Sequence, residues 1–124
     1  MSGINNSGQH TLSGLEIVHG QANLTDASST EVLAADTARF TYITDIVIAV
    51  KAGASALLKV DILEDTTVLV SQYVAVGTLP GNHTINLTTP IKTSAINKAI
   101  NAKSSATATG FDALVTVVAF QAKN

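Results

Sequence analysis

Between Arg39 and Val50 the chain reads RFTYITDIVIAV, its longest run of strand-forming residues. Side chains alternate sides along a strand, so Phe40, Tyr42, Ile46, Ile48 and Val50 share one face, interrupted only by Thr44, while Arg39, Thr41 and Asp45 share the other. The first face is expected to be core, with Phe40 and Tyr42 in it. The second also carries Ile43, Val47 and Ala49, more apolar groups than a strand facing water ordinarily shows. Something is expected to cover that face, which makes Ile43, Val47 and Ala49 candidate interface residues.

Shorter pieces of the same kind fill the rest of the chain. Leu15 to His19 and Thr30 to Ala34 read as short strands on either side of the turn-rich stretch Gln21 to Ser29. Lys51-Ala52-Gly53 closes the long strand, and Ala54 to Glu64 alternates again, so these two segments are expected to pair as an antiparallel hairpin. Asp65-Thr66 makes the next turn, and Thr67 to Val76 places Val68, Val70, Val74 and Val76 on one face. Asn82 to Thr88 sets His83, Ile85 and Leu87 against Asn82, Thr84, Asn86 and Thr88, and Pro90 is expected to stop it. Thr93 to Ser105 also fits a helical face through Ala95, Ile96, Ala99 and Ile100; its Asn, Thr and Ser content and its place between strands favour extended structure, and both readings stay open. Phe111 to Gln121 is apolar on both faces, as expected of a strand central in a sheet or covered by a partner.

About eight strands with turn signals between them and no convincing helix predict an all-β fold, an antiparallel β-sandwich or jelly roll. At 124 residues the chain has room for one domain, assigned to residues 15–124. Residues 1–14, rich in Gly, Ser and Asn with only Ile4 and Leu12 as larger apolar groups, read as a flexible N-terminal arm that could order against a neighbouring subunit.

Charge narrows the function classes. Charged residues make up 13% of the chain, about half the usual share, leaving a surface of Ser, Thr, Asn, Gln and Ala that is easily desolvated against other subunits. The formal net charge is −2 and the seven Lys and Arg are scattered, so no basic run is available to neutralise a phosphate backbone, and nucleic acid is not an expected partner. There is no cysteine, hence no disulfide framework and no thiolate metal site. The first residues lack the basic start and apolar stretch of a signal peptide, and no apolar run is long enough for a membrane span, so synthesis in a cytoplasm and no membrane partner are expected.

No catalytic constellation emerges. Gly53-Ala54-Ser55-Ala56-Leu57 lacks the second glycine of a hydrolase elbow and enters a strand where the elbow needs a helix. There is no phosphate-cradling GxxxxGK[ST] and no HExxH. Asp61, Glu64 and Asp65 could offer oxygens to a hard cation, but three carboxylates so close are more often a solvated turn. His10, His19 and His83 are far apart in sequence. Neither metal nor cofactor is assigned, and the chain is read as no enzyme. Asn5-Asn6-Ser7, Asn23-Leu24-Thr25, Asn82-His83-Thr84 and Asn86-Leu87-Thr88 match the N-glycosylation pattern, as a composition rich in Asn and Thr will do by chance.

The order of segments carries a resemblance. Thr30 to Ala35, Arg39 to Val50, Ala54 to Leu63, the Pro90 loop, Ala95 to Ala102, and Ala106-Thr107-Ala108-Thr109-Gly110-Phe111 leading into the last strand resemble small jelly-roll proteins of tailed bacteriophage particles. The resemblance covers residues 30 to 122 and includes no diagnostic motif. It implies a virion structural protein of the head-decoration or cement type, assembled as a homotrimer on the major capsid protein at the capsid surface, and it brings no catalytic residues. On this expectation the subunits meet through Ile43, Val47 and Ala49, and the arm engages a neighbour through Ile4 and Leu12. The alternative is a receptor- or glycan-binding module of a tail fibre, or another tail or neck component. Its site would draw on Tyr73, the one aromatic expected to stand clear of a core face, with Asn82 and His83.

Overall fold

The computed structural model describes residues 16–52, 58–74, 81–105 and 111–124. The strands are β1 (Glu16–Leu24), β2 (Thr30–Leu33), β3 (Phe40–Ala52), β4 (Leu58–Glu64), β5 (Thr67–Val74), β6 (Gly81–Lys92), β7 (Ile100–Ser104) and β8 (Asp112–Ala122). All pairings are antiparallel, and they form two four-stranded sheets in the orders β1-β8-β3-β6 and β2-β7-β4-β5. The first strand pairs with the last, the second with the seventh, the third with the sixth and the fourth with the fifth. That nesting is a jelly roll: one long antiparallel ribbon, doubled at the β4–β5 turn and wrapped into two facing sheets. The predicted fold class and strand number are those observed.

The core lies between the sheets. Leu24, Ile46, Ile48, Ala113, Val115 and Val117 from one sheet and Leu58, Val60, Ile62, Val74, Ile100 and Ala102 from the other are almost wholly removed from water. Small β-branched and Ala side chains suit this layer, because they pack on a pleated surface with little loss of rotamer freedom. Gly20, on the inner side of β1, has a structural reason: a Cβ there would sit 2.0 Å from the Val32 carbonyl oxygen and 2.9 Å from a Leu33 methyl.

Strand β3 corrects the simple alternation. Its register against both β6 and β8 shifts between Ile43 and Asp45, so Thr44 is the extra residue of a β-bulge. A bulge reverses which parity faces inward. Ahead of it Thr41 and Ile43 are buried, and after it Ile46, Ile48 and Val50 are. Phe40 and Tyr42, expected in the core, stand on the outer face, and Ile43, expected on the outer face, is completely buried.

Two other expectations change, and one open reading closes. Strands β3 and β4 do not form a hairpin; they belong to different sheets. Pro90 does not end β6, which runs on to Lys92. Opposite Thr44 the register passes from Asn86 directly to Ile91, leaving Leu87 to Pro90 outside the regular ladder of an edge strand, where a residue without an N–H is tolerated. The segment from Thr93 to Ser105 is an irregular loop followed by a five-residue strand, with no helix.

Side-chain bonds hold that loop. The buried Glu64 carboxylate accepts from Ser94 Oγ at 2.5 Å and from Ser94 N–H at 3.0 Å. Asp65, which has a left-handed backbone (φ 50°), donates its N–H to the Ala99 carbonyl, and its carboxylate accepts from Ala99 N–H. Thr93 and Thr41 exchange bonds in both directions, the Thr93 N–H donating to the Thr41 carbonyl and the Thr41 N–H to Thr93 Oγ1.

Candidate assembly surface

Alternation that buries one set of side chains in the β1-β8-β3-β6 sheet presents the other set outward in rows running across all four strands. Starting from β1, these rows are Ile17, Phe120, Tyr42, Lys92; then His19, Val118, Asp45, Asn86; then Gln21, Thr116, Val47, Thr84; then Asn23, Leu114, Ala49, Asn82. The central strands β8 and β3 supply half-buried and mainly apolar groups. The edge strands β1 and β6 supply exposed ones, polar except for Ile17, which is 62% exposed. An apolar midline with a polar rim is the composition of a protein–protein contact, and contiguous apolar surface on a small domain marks such a site.

The first row has its own chemistry. Tyr42 and Phe120 stack across β3 and β8, and the Lys92 ammonium lies 4.2 Å from the centre of the Phe40 ring and 5.6 Å from that of Tyr42. The Tyr42 hydroxyl donates to the backbone carbonyl of Asn124, tying the chain end to the same corner. Nearby, Arg39 Nη1 meets Glu16 Oε1 at 2.6 Å. Rigid aromatic side chains and a cation fixed over them form a pre-shaped surface that loses little entropy on docking.

Val47 and Ala49 stand on this outer face, half-buried among their neighbours. Ile43 is not, being enclosed in its own sandwich. Ile4 and Leu12 lie outside the described residues. Ile17, Phe40, Tyr42, Lys92 and Phe120 were not singled out by the sequence reading for this surface. The signal for two of them was Thr44: a polar residue interrupting an otherwise apolar parity marks the bulge that sends Phe40 and Tyr42 outward.

The residues considered for a glycan site do not converge. Tyr73 is 61% exposed on the outer side of β5, Asn82 points out of the opposite sheet, and His83 points inward. The acidic cluster is likewise spent on protein donors. Asp61 accepts from Ser71 Oγ at 2.6 Å with Lys59 Nζ at 3.8 Å, Glu64 holds Ser94, and Asp65 faces Lys98 Nζ at 3.3 Å. Among the described residues no group of three or more His, Asp or Glu side chains is placed to hold a metal ion.

The fold is similar to that of a cyanophage capsid chain. That chain belongs to the cyanophage Pam1 capsid asymmetric unit; the likeness has a TM-score of 0.52 at 9% identity and covers 96% of this chain and 98% of the other. A chain of the extra small virus VLP of the giant freshwater prawn Macrobrachium rosenbergii aligns with a TM-score of 0.41 at 14% identity, over 92% of this chain and 83% of that one. No family model matches the sequence, and no curated protein matches it. At such identities the likeness speaks for the fold alone.

Proposed function

We propose that the chain is a noncatalytic structural protein of a viral particle, a head-decoration or cement protein that self-associates and clamps the capsid surface. The observation that carries this reading is the outer face of the β1-β8-β3-β6 sheet, with its apolar midline of Val47, Ala49, Leu114, Val118 and Phe120 inside a polar rim. The full-length likeness in fold to a cyanophage capsid chain supports the setting. The mechanism is additive burial: contacts too weak to hold one copy give avidity when repeated over a symmetric lattice. Three copies about a threefold axis, seated on the major capsid protein, is the arrangement that the resemblance to phage decoration proteins implies, with the virion surface as the location.

Four short rows of outward side chains cover on the order of 500 Å², below the roughly 800 Å² per partner of a standard stable contact. The sheet face therefore needs a second contribution, and residues 1–14 as an arm, through Ile4 and Leu12, are the proposed one. Imaging purified particles tests the reading. Density for this chain at capsid threefold positions is the expected result, and density confined to the tail or neck overturns it. Light scattering that finds only monomers at micromolar concentration counts against self-association.

A further inference from the structure

An open sheet has edges, and proteins guard them with charge, proline, bulges or shortness, because an unguarded edge pairs with another strand. Among the described residues four strands are edges: β1 and β6 in one sheet, β2 and β5 in the other. Strand β2 has only four residues and a register shift, and it carries Glu31. Strand β6 carries Pro90, Lys92 and the break between Asn86 and Ile91. Strand β1 begins with Glu16, ion-paired to Arg39, and abuts the Val32 carbonyl at Gly20. Strand β5 differs: TVLVSQYV has eight residues, no charge and no proline. Its one irregularity lies near the hairpin end, and Val70 to Val74 run in unbroken register with β4.

The direction of the backbone groups on β5 follows from its neighbour. Lys59 is paired with Tyr73, yet the Lys59 N–H donates to Ser105 Oγ and its carbonyl accepts from the Ser105 N–H, both on the side away from β5. In an antiparallel pair the opposite residue then also turns its N–H and C=O away, so those of Tyr73 point to the open edge, and by alternation those of Ser71 do too. The Tyr73 carbonyl is already used in this way, accepting from its neighbour's side chain, Gln72 Nε2, at 2.8 Å.

We propose that β5 is a strand-addition site for β5 of a second copy, joined antiparallel across a twofold axis into one continuous sheet through Ser71 and Tyr73. The charge pattern selects this occupant. A twofold contact brings each side chain near its own copy, which penalises any charged strand, and β5 has no charge to repel itself. A charged peptide would find no counter-charge on β5. This edge belongs to the sheet opposite Val47 and Ala49, so it is a second interface, and the outer face stays free for its own contacts.

The chain has no cysteine, so single substitutions give unique thiols. Under mild oxidation Gln72→Cys, which a pairing of Ser71 with Tyr73 sets directly opposite its own copy, is expected to form a covalent dimer at concentrations where Ala35→Cys, exposed and outside both proposed interfaces, does not, and equal yields overturn the proposal. Tyr73→Pro removes the edge N–H, and Tyr73→Lys sets like charges together. In sedimentation each is expected to give particles of about half the wild-type mass, and an unchanged mass for both overturns the proposal. Circular dichroism confirms that each variant is folded, and Tyr73→Lys serves if the proline variant is not. The outer-face reading stands or falls separately, on Val47→Lys.

Discussion

Tyr42 and Phe120 lie face to face across β3 and β8, with ring centroids 4.6 Å apart and planes 3° from parallel. Neither is a core residue; both stand on the outer side of the sheet, in the row that runs from Ile17 to Lys92. The pair therefore serves both the rigidity of that corner and its capacity to dock. Phe120→Ala is expected to lower stability by about 1–2 kcal/mol through lost aromatic contact and area, less than a core truncation. Urea unfolding measures this, and sedimentation of the same variant is expected to show weaker self-association.

Ile43 and Val47 separate core from surface on one strand. Ile43→Ala is expected to cost about 3 kcal/mol of folding stability, because the site is fully enclosed and leaves a cavity. Val47→Lys is expected to change folding stability by no more than about 1 kcal/mol while abolishing association through the outer face. Thermal melts and light scattering on both variants give the comparison, and a larger stability loss at Val47 would reverse the assignment of faces.

Gly20→Ala tests the closeness of β1 and β2. The added methyl meets a backbone carbonyl, which cannot rotate out of the way, so a strand must move. A destabilisation of at least about 2 kcal/mol is expected, measurable as a fall in the urea midpoint. A neutral result would mean that β2 sits farther from β1 than described.

Glu64→Ala removes the acceptor that serves both Ser94 N–H and Ser94 Oγ. Leaving these donors without it is expected to cost about 2 kcal/mol, and Glu64→Gln, which keeps one acceptor oxygen, less. Amide exchange at Ser94 reports the effect directly, with faster exchange in the alanine variant than in the glutamine one.

Strand identities were legible because the alternation in Arg39 to Val50 and Asn82 to Thr88 is a local consequence of one buried face, and the apolar, β-branched run of Phe111 to Gln121 is that of a strand central in its sheet. Phase was not, since the Thr44 bulge is a property of three strands at once: β3, β6 and β8 share the shift, and no local pattern states it outright. That one residue moved Ile43 into the core and Phe40 and Tyr42 out of it. Partner choice between strands was equally hidden. Lys51-Ala52-Gly53 looks like a hairpin turn, yet β4 belongs to the other sheet, because a ribbon wrapped on itself pairs β3 with β6 and β4 with β5. Of the expected interface residues, Val47 and Ala49 follow the phase set after the bulge, while Ile43 precedes it.

The nested pairing of strands also sets an order of events for the chain as it folds. Among the described strands, Asp65-Thr66 joins the one pair that is adjacent in sequence, whereas Glu16 must find Gln121 across nearly the whole chain. Closing loops of that length before any contact rewards them is slow, so a ribbon that zips outward from the Asp65 turn is expected to lock β1 last. Until it does, one side of β8 lies open along its whole length. In a crowded assembly line of identical chains, the interval before β1 closes is when one copy's β1 can complete another's sheet.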